Sequence, residues 1–233
     1  MSDNLKGEAM DVYRVVRAMI FVDGNNLFHS APQIGKQKGL ADHSIRIEYR
    51  KLAFVFAQEV NRLVPDYSVY PVVTHYVASI PANYDPRSEQ SVEKQRGFFA
   101  WLRALPHYQV TLMEIDFRGH AVRRDEEDGE QFELKESKVD MEVAALMLEH
   151  CYHDDYDIAI LVAGDADYGP ALRRIIEKGK QVALFGIRNS CSQEFVNHDP
   201  ALTTWPVFWI DDLPEVYYRQ RPDNPGDASK SDT

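Results

Sequence analysis

Four aspartates occupy positions in the sequence where an α/β protein could bind a metal ion. Asp23 directly follows an apolar run, Asp165 and Asp167 follow a second one, and Asp140 lies near the start of an amphipathic segment. Carboxylates without histidine or cysteine are typical ligands of Mg²⁺ and Mn²⁺, whereas zinc usually recruits nitrogen or sulfur. Such a cluster suits phosphoryl transfer to water, because a divalent ion activates the water and offsets charge on the leaving oxygen.

Each of these aspartates also has an ordinary structural interpretation. Asp23 can bind the backbone of the turn in which it lies. Asp165 and Asp167 can favour the N-terminus of a helix that begins at Pro170, and Asp140 fits a capping box that begins at Ser137. Their conjunction favours a shared site. Several carboxylates within about 4 Å would repel by a few kcal/mol per pair at an effective dielectric constant near 20, and a divalent cation would screen that repulsion.

The hydrophobic pattern predicts the elements that position the aspartates. We expect strands over Val15–Val22, Tyr67–Ala78, Tyr108–Phe117, Ile158–Ala163, Gln181–Phe185 and Val207–Ile210. We expect helices over Tyr49–Leu63, Ser88–Leu105, Lys138–His150 and Pro170–Lys178, with a short one near Ser192–Asn197. After Asp23 we expect a turn, then a loop from Pro32 to about His43. The alternation predicts a Rossmann-like, mostly parallel sheet with helices on both faces, whose ligands bind beyond the carboxyl ends of the strands.

The bulk composition is that of one globular domain. The 233 residues are 44% hydrophobic and 27% charged, and we expect a domain over 15–218 between an N-terminal arm (1–14) and a disordered tail (219–233). The acidic stretch Arg118–Glu130 predicts an exposed turn or hairpin tip. No apolar run approaches the roughly 20 residues that span a bilayer. Only Cys151 and Cys191 are present, too few for a disulfide framework, so we expect a cytoplasmic protein.

The charge distribution limits how the protein could hold nucleic acid. A net charge of −11 argues against a protein that coats long stretches of it, because phosphate contacts dominate such binding. A small basic rim remains near the acidic motifs, and we interpret Lys138, Arg174 and Lys178 as substrate-binding candidates. The alternative for each is a solvated helix face.

Two other groups of residues favour structural roles. His150 and His153 are spaced for one helix end, where the helix dipole favours histidine, and no further ligands complete a metal set around Cys151. The aromatic residues Trp205, Phe208 and Trp209 at the last predicted strand are typical of packing rather than of a base-stacking platform.

Four sequence blocks together resemble the NYN domain family of PIN-like nucleases. They are F-V-D-G-N-N-L (Phe21–Leu27), K-V-D (Lys138–Asp140), L-V-A-G-D-A-D-Y (Leu161–Tyr168) and G-K-Q-V-A-L-F-G (Gly179–Gly186). Their order and spacing match the family over about Ala18 to Leu213. One departure lies in the last acidic motif, which often reads S-G-D-S-D in the family. This chain has Ala163 and Ala166 in place of the two serines, so it lacks hydroxyls that could position a water or a phosphate.

The resemblance implies a metal-dependent endoribonuclease, a hydrolase that acts on RNA. By motif, its metal-binding and catalytic carboxylates are Asp23, Asp140, Asp165 and Asp167, with Asn26 as an orienting polar group and Mg²⁺ or Mn²⁺ as the cofactor. A homo-oligomer is compatible with the sequence, and no membrane association is expected. The alternative is an RNA- or protein-binding module of the same fold without turnover. A toprim-like domain ranks lower, because that class requires glutamate after its first strand.

Overall fold

The computed structural model describes residues 14–39, 45–122 and 138–219 as an α/β protein. Its strands are β1 (Arg14–Asp23), β2 (Ile45–Ile47), β3 (Tyr67–Ala82), β4 (Tyr108–Asp116), β5 (Ile158–Val162), β6 (Gln181–Gly186), β7 (Phe208–Trp209) and β8 (Tyr217–Arg219). Six of them form an all-parallel sheet in the order β4-β3-β1-β5-β6-β7, and β2 pairs antiparallel with β8. The predicted fold class is confirmed, with a sheet that is parallel throughout.

Helices cover both faces of the sheet. They are α1 (Gly24–Gln37), α2 (Tyr49–Leu63), α3 (Glu89–Arg103), α4 (Val139–Tyr152), α5 (Gly169–Glu177) and α6 (Gln193–Val196), with 3₁₀ turns at Pro86–Ser88, Ala166–Tyr168, Ile210–Asp212 and Pro214–Val216. Alternate residues of β1 pack into two separate hydrophobic cores. Ile20 and Val22 pack with α1, α2 and α3, whereas Met19 and Phe21 pack with α4 and α5. Nowhere in the described residues is a helix long and apolar enough to cross a membrane.

The sheet reverses its winding direction beside β1. The chain proceeds from β1 outward to β3 and β4, then crosses back to β5 and continues to β6 and β7 on the other side. Val22 of β1 pairs with Val162 of β5, so the residues that follow both strands emerge at one place. Such a switch point is where open α/β sheets bind ligands.

Two parts of the secondary structure differ from the prediction. The segment expected to be a turn and a loop is largely helix α1, which contains Pro32. Proline removes one backbone hydrogen bond, but Leu27 and Ile34 are buried in the core, and this packing outweighs the local preference. The short strands β2 and β8 were not predicted, because three-residue strands carry too little pattern to read.

Several predictions fall wholly or partly outside the described residues. The predicted N-terminal arm lies outside them except for Arg14, and the predicted tail except for Arg219. Of the predicted acidic turn, residues 118–122 are described and 123–130 are not.

Candidate functional site

Asp23 is the most tightly held of the predicted site residues. It is the last residue of β1 and the N-cap of α1, and it is only 7% exposed. Its Oδ1 accepts a hydrogen bond from the backbone N–H of Asn26 at 2.8 Å, and its Oδ2 accepts one from the Tyr168 hydroxyl at 2.8 Å. Burial raises the pKa of Asp23, these hydrogen bonds oppose the rise, and the charge of Asp140 adds to it. Asp23 therefore binds the backbone of its turn, as its structural interpretation predicts, but that interpretation does not explain the hydrogen bond from Tyr168.

Asp165 lies beyond the end of the neighbouring strand. It caps the 3₁₀ turn Ala166–Tyr168, and its Oδ1 accepts the backbone N–H of Asp167 at 3.1 Å. The same turn ends in Tyr168, which is 1% exposed and reaches across to Asp23. This short turn and its cap thus carry two exposed carboxylates, those of Asp165 and Asp167, together with the hydroxyl that binds Asp23.

The surroundings of Tyr168 indicate that three of the four aspartates lie near one another. Burial raises the pKa of Tyr168, and the negative charges of Asp23, Asp140 and Asp165 raise it further. Asp140 reaches this end of the sheet from the first turn of α4, whose N-cap position is Lys138 and has no side-chain capping bond. The capping box predicted for Asp140 has its first residue, Ser137, outside the described residues.

The last of the four predicted ligands is Asp167. Asp167 is exposed, two residues beyond Asp165. Within the described chain, no hydrogen bond or ion pair engages the carboxylates of Asp140 or Asp167. Among the same residues, no three His, Cys, Asp or Glu side chains are arranged to hold a metal ion. Asp23, Asp140 and Asp165 therefore lie at one edge of the sheet, but their carboxylates are not arranged as a metal-coordination site.

The two asparagines near Asp23, Asn25 and Asn26, make different contacts. Asn26, the predicted orienting residue, donates its backbone N–H to Asp23, and it lines a small cavity together with Ala163. The neighbouring Asn25 was not predicted to take part. Its Oδ1 accepts hydrogen bonds from the N–H and the hydroxyl of Ser79 at 3.0 and 3.1 Å, which ties the start of α1 to β3.

Two glycines permit close approaches around the aspartates. A Cβ on Gly24 would lie 2.5 Å from the ring of Tyr76, and a Cβ on Gly164 would lie 2.1 Å from the backbone oxygen of Ser190. Ser192 also donates its N–H to the Gly164 carbonyl at 2.7 Å. The loop after β6 therefore packs directly against the residue before Asp165, a contact that sequence spacing alone does not reveal.

The three basic candidates occupy different surroundings. Lys138 is exposed and lies two residues before Asp140 at the start of α4. Arg174 forms an ion pair with Glu177 at 2.8 Å, and the Lys178 ammonium lies 5.1 Å from the ring centre of Tyr152. Arg174 lies in the C-terminal half of α5 and Lys178 directly follows its last residue, and this end of the helix leads away from the aspartates. Of the three, Lys138 is the one that lies at the same helix start as a predicted metal ligand.

The histidines and the late aromatic residues serve other contacts. His75 is 4% exposed, stacks on Phe21 at 5.3 Å between ring centres, and lies 4.7 Å from the ring of His150. His150 Nδ1 lies 2.8 Å from Asp155 Oδ2. Phe208 stacks on Phe185 of the neighbouring strand, so it packs as predicted.

The fold and this edge define a class of protein: a parallel-sheet α/β domain with acidic side chains at its topological switch point. Residues 17–204 match the family model for the NYN domain, and the chain belongs to the NYN domain family. This confirms the resemblance seen in the sequence. The family is a nuclease-type family whose members act on nucleic acid and generally depend on a divalent metal ion.

One solved structure shares the fold. It is the crystal structure of a protein of unknown function, VPA0982, from Vibrio parahaemolyticus, with a TM-score of 0.53 and 22% sequence identity. The match covers 84% of this chain and 94% of that one. None of the curated proteins is significantly similar to this chain.

Proposed function

We propose that this protein is a Mg²⁺- or Mn²⁺-dependent endoribonuclease. The observation that carries the proposal is the convergence of Asp23, Asp140 and Asp165 at the switch point of an NYN-family sheet. A structural role alone accounts for the backbone bonds of Asp23 and Asp165. It does not account for a third carboxylate, Asp140, brought to the same edge with no described hydrogen-bond partner.

The donor chemistry fits an oxygen-preferring cation. The candidate ligands are carboxylates only, which favours Mg²⁺ or Mn²⁺ over zinc. Asp23 is fixed, whereas Asp165 and Asp167 are exposed, so their side chains would have to turn inward to complete the site. Asp23, Asp140, Asp165 and Asp167 would hold the ion. When bound, it would supply charge stabilisation to the phosphate and lower the pKa of an attacking water.

The remaining residues would bind and orient the substrate. Lys138, two residues before Asp140, would supply an ammonium for a backbone phosphate, and Asn26 lines the small cavity next to Ala163. Because the chain carries a net charge of −11, we expect it to grip only a few phosphates around the cleaved bond. We propose that the enzyme cuts RNA once per encounter and does not travel processively along it.

A binding module without turnover is the second candidate. Ala163 and Ala166 stand where the family often has serines, so two hydroxyls are missing beside the acidic residues. The described side chains also do not close around a metal ion. On this alternative the aspartates cap α1 and the 3₁₀ turn, and RNA or a protein partner binds without being cut.

A panel of substrates separates the two candidates. The protein is incubated with end-labelled single- and double-stranded RNA and DNA, with Mn²⁺ or with chelator. The proposal predicts fragments from RNA with Mn²⁺ alone. Binding of RNA without fragments under all conditions would favour the module.

The cellular location belongs to the same proposal. Both cysteines are free thiols, Cys151 buried and Cys191 partly buried. Free thiols suit a reducing compartment, and we propose that the protein acts in the cytoplasm.

A further inference from the structure

Tyr168 occupies an unusual place for a tyrosine hydroxyl. Its ring belongs to the core beneath α4 and α5, and the residue is 1% exposed. Its hydroxyl emerges from that core at the acidic edge and donates a 2.8 Å hydrogen bond to Asp23 Oδ2. A buried tyrosine hydroxyl usually has a partner, and most side-chain hydrogen bonds go to backbone or water rather than to another side chain. Here the partner is the most buried of the predicted metal ligands.

The carboxylate of Asp23 is held from two directions at once. The backbone N–H of Asn26 at the start of α1 donates to Oδ1 at 2.8 Å, and the Tyr168 hydroxyl donates to Oδ2. Each oxygen of an ionised carboxylate accepts about two hydrogen bonds. The two bonds therefore fix the plane of the group and leave Oδ2 one lone pair for a further partner. Without the hydrogen bond from Tyr168, only the hydrogen bond to Oδ1 would restrain rotation of the Asp23 carboxylate about its Cβ–Cγ bond.

Tyr168 also links the two strands that meet at the switch point. It lies three residues after Asp165, in the turn that Asp165 caps, and its hydrogen bond ends on the residue that closes β1. A shift of this turn would therefore move Asp165 directly and Asp23 through the Tyr168 hydroxyl. The pairing of β1 with β5 sets the approximate spacing between the two carboxylates, and this side chain adjusts the spacing that an ion sensitive to geometry must match.

We propose that Tyr168 is the positioning residue of the metal site, holding Asp23 Oδ2 so that its free lone pair faces an ion shared with Asp140 and Asp165. The inference rests on the proposed function. Groups that hydrogen-bond a metal ligand commonly change metal affinity 10–100-fold when they are removed. The Tyr168→Phe substitution removes only the hydroxyl and keeps the ring that packs in the core.

The chain offers a matched control in Tyr156. It is fully buried in the same core, and its hydroxyl donates to the Met147 carbonyl at 2.9 Å, away from the aspartates. Tyr156→Phe therefore removes an equally buried hydroxyl that touches no proposed ligand. Any general effect of losing a buried hydrogen bond should appear in both variants.

The test is a titration of Mn²⁺ into the parent, Tyr168→Phe and Tyr156→Phe proteins at one pH, with free Mn²⁺ followed by its electron paramagnetic resonance signal. We expect Tyr168→Phe to bind at least about 10-fold more weakly than the parent, and Tyr156→Phe to bind like the parent. If the chain cleaves RNA, saturating Mn²⁺ should restore much of the rate of Tyr168→Phe. In an Asp23→Asn background, Tyr168→Phe should cause no further loss of affinity.

Each contrary result has a distinct meaning. If the parent binds Mn²⁺ and Tyr168→Phe binds it equally well, the positioning role is wrong and the proposed function stands. If both tyrosine variants lose affinity alike, or if Tyr168→Phe does not fold by circular dichroism, the hydroxyl is structural and the inference is overturned. If the parent itself does not bind Mn²⁺, the inference and the metal site of the proposed function fall together.

Discussion

Val22 of β1 pairs with Val162 of β5, and this register places the acidic residues after the two strands at one edge of the sheet. Asp23 ends the first strand, and Asp165 lies three residues beyond the second. The strands come from distant parts of the chain and are parallel neighbours only because the connection returns across the sheet at this point. The candidate site is therefore a product of topology as much as of sequence motifs.

Replacing Asp23 by asparagine should make the metal-free protein more stable at neutral pH. Burial holds the pKa of Asp23 above its ordinary value despite its hydrogen bonds, so the folded state carries a cost for the charged form. Asn removes the charge at nearly constant shape and can still cap α1. We expect the free energy of unfolding to rise by about 1 kcal/mol, on the Coulomb scale for partly solvated charges. Denaturant titrations of both proteins with chelator measure it.

The same substitution has a pH signature and a metal signature. A raised folded-state pKa means that the cost is present above that pKa and is relieved as the pH falls through it, so the advantage of Asp23→Asn should shrink on acidification. Mn²⁺ should raise the melting temperature of the parent and not that of the variant, because a ligand that binds only the folded state stabilises it. A parent that gains nothing from Mn²⁺, with a variant that melts lower, would identify Asp23 as a capping residue only.

His75 should make the protein sensitive to mild acid. Burial, and to a lesser degree the charge of His150, lowers the pKa of His75 from 6.5 to about 4. Below about pH 6.5 the unfolded chain takes up a proton that the folded chain refuses, so stability falls as the pH drops toward 4. The loss from this group approaches about 3 kcal/mol, at 1.36 kcal/mol per pH unit.

The His75→Phe variant isolates this contribution. Phenylalanine keeps a ring against Phe21 but cannot titrate. Between pH 7 and pH 4, the difference in unfolding free energy between the two proteins should shift in favour of the variant by up to about 3 kcal/mol, because only the parent loses the histidine contribution. Parallel curves for the two proteins would show that His75 does not titrate differently in the folded and unfolded states.

Gly164→Ala should be strongly destabilising. The added Cβ would lie 2.1 Å from the Ser190 backbone oxygen, and backbone cannot move aside as a flexible side chain can. We expect a loss of about 3 kcal/mol, typical of overpacking at a rigid contact. Gly97→Ala is the matched control, since it lies within α3 with open space around it and should gain about 0.5–1 kcal/mol from helix propensity. Equal effects at both glycines would contradict the close loop contact.

Lys138→Ala should weaken RNA binding more than Lys178→Ala. Lys138 is exposed beside Asp140, whereas Lys178 lies over the Tyr152 ring beyond the end of α5. Loss of one phosphate contact should lower the slope of log affinity against log salt by about 0.7 for single-stranded RNA. Fluorescence anisotropy in the Asp165→Asn background, where no cleavage interferes, measures the slope. An unchanged slope for Lys138→Ala would remove it from the substrate contacts.

Much of the fold could be predicted because its strands and most of its helices carry strong periodic patterns. Helix α2 begins and ends where its pattern does, at Tyr49 and Leu63. Helix α1 was missed because Pro32 and nearby glycines read as a loop, whereas the burial of Ile34 that stabilises it depends on distant residues.

The candidate site was predicted less completely than the fold. The motif aspartates could be identified from their position after apolar strands. The contribution of Tyr168 could not, because nothing in its spacing shows that its hydroxyl reaches Asp23, 145 residues away in the chain. The roles of Asn25 and Ser190 also depend on which strands and loops become neighbours.

Cleavage of labelled RNA by the parent and by Asp165→Asn, each with Mn²⁺ and with chelator, tests the central claim most directly. Asp85→Asn is the matched control, because Asp85 caps the 3₁₀ turn Pro86–Ser88 through the same bond to the second N–H that Asp165 makes. We predict that the parent and Asp85→Asn cut RNA with Mn²⁺ and not with chelator, while Asp165→Asn stays folded and inactive. Cleavage that persists with chelator, or an Asp165→Asn protein as active as the parent, would contradict the account.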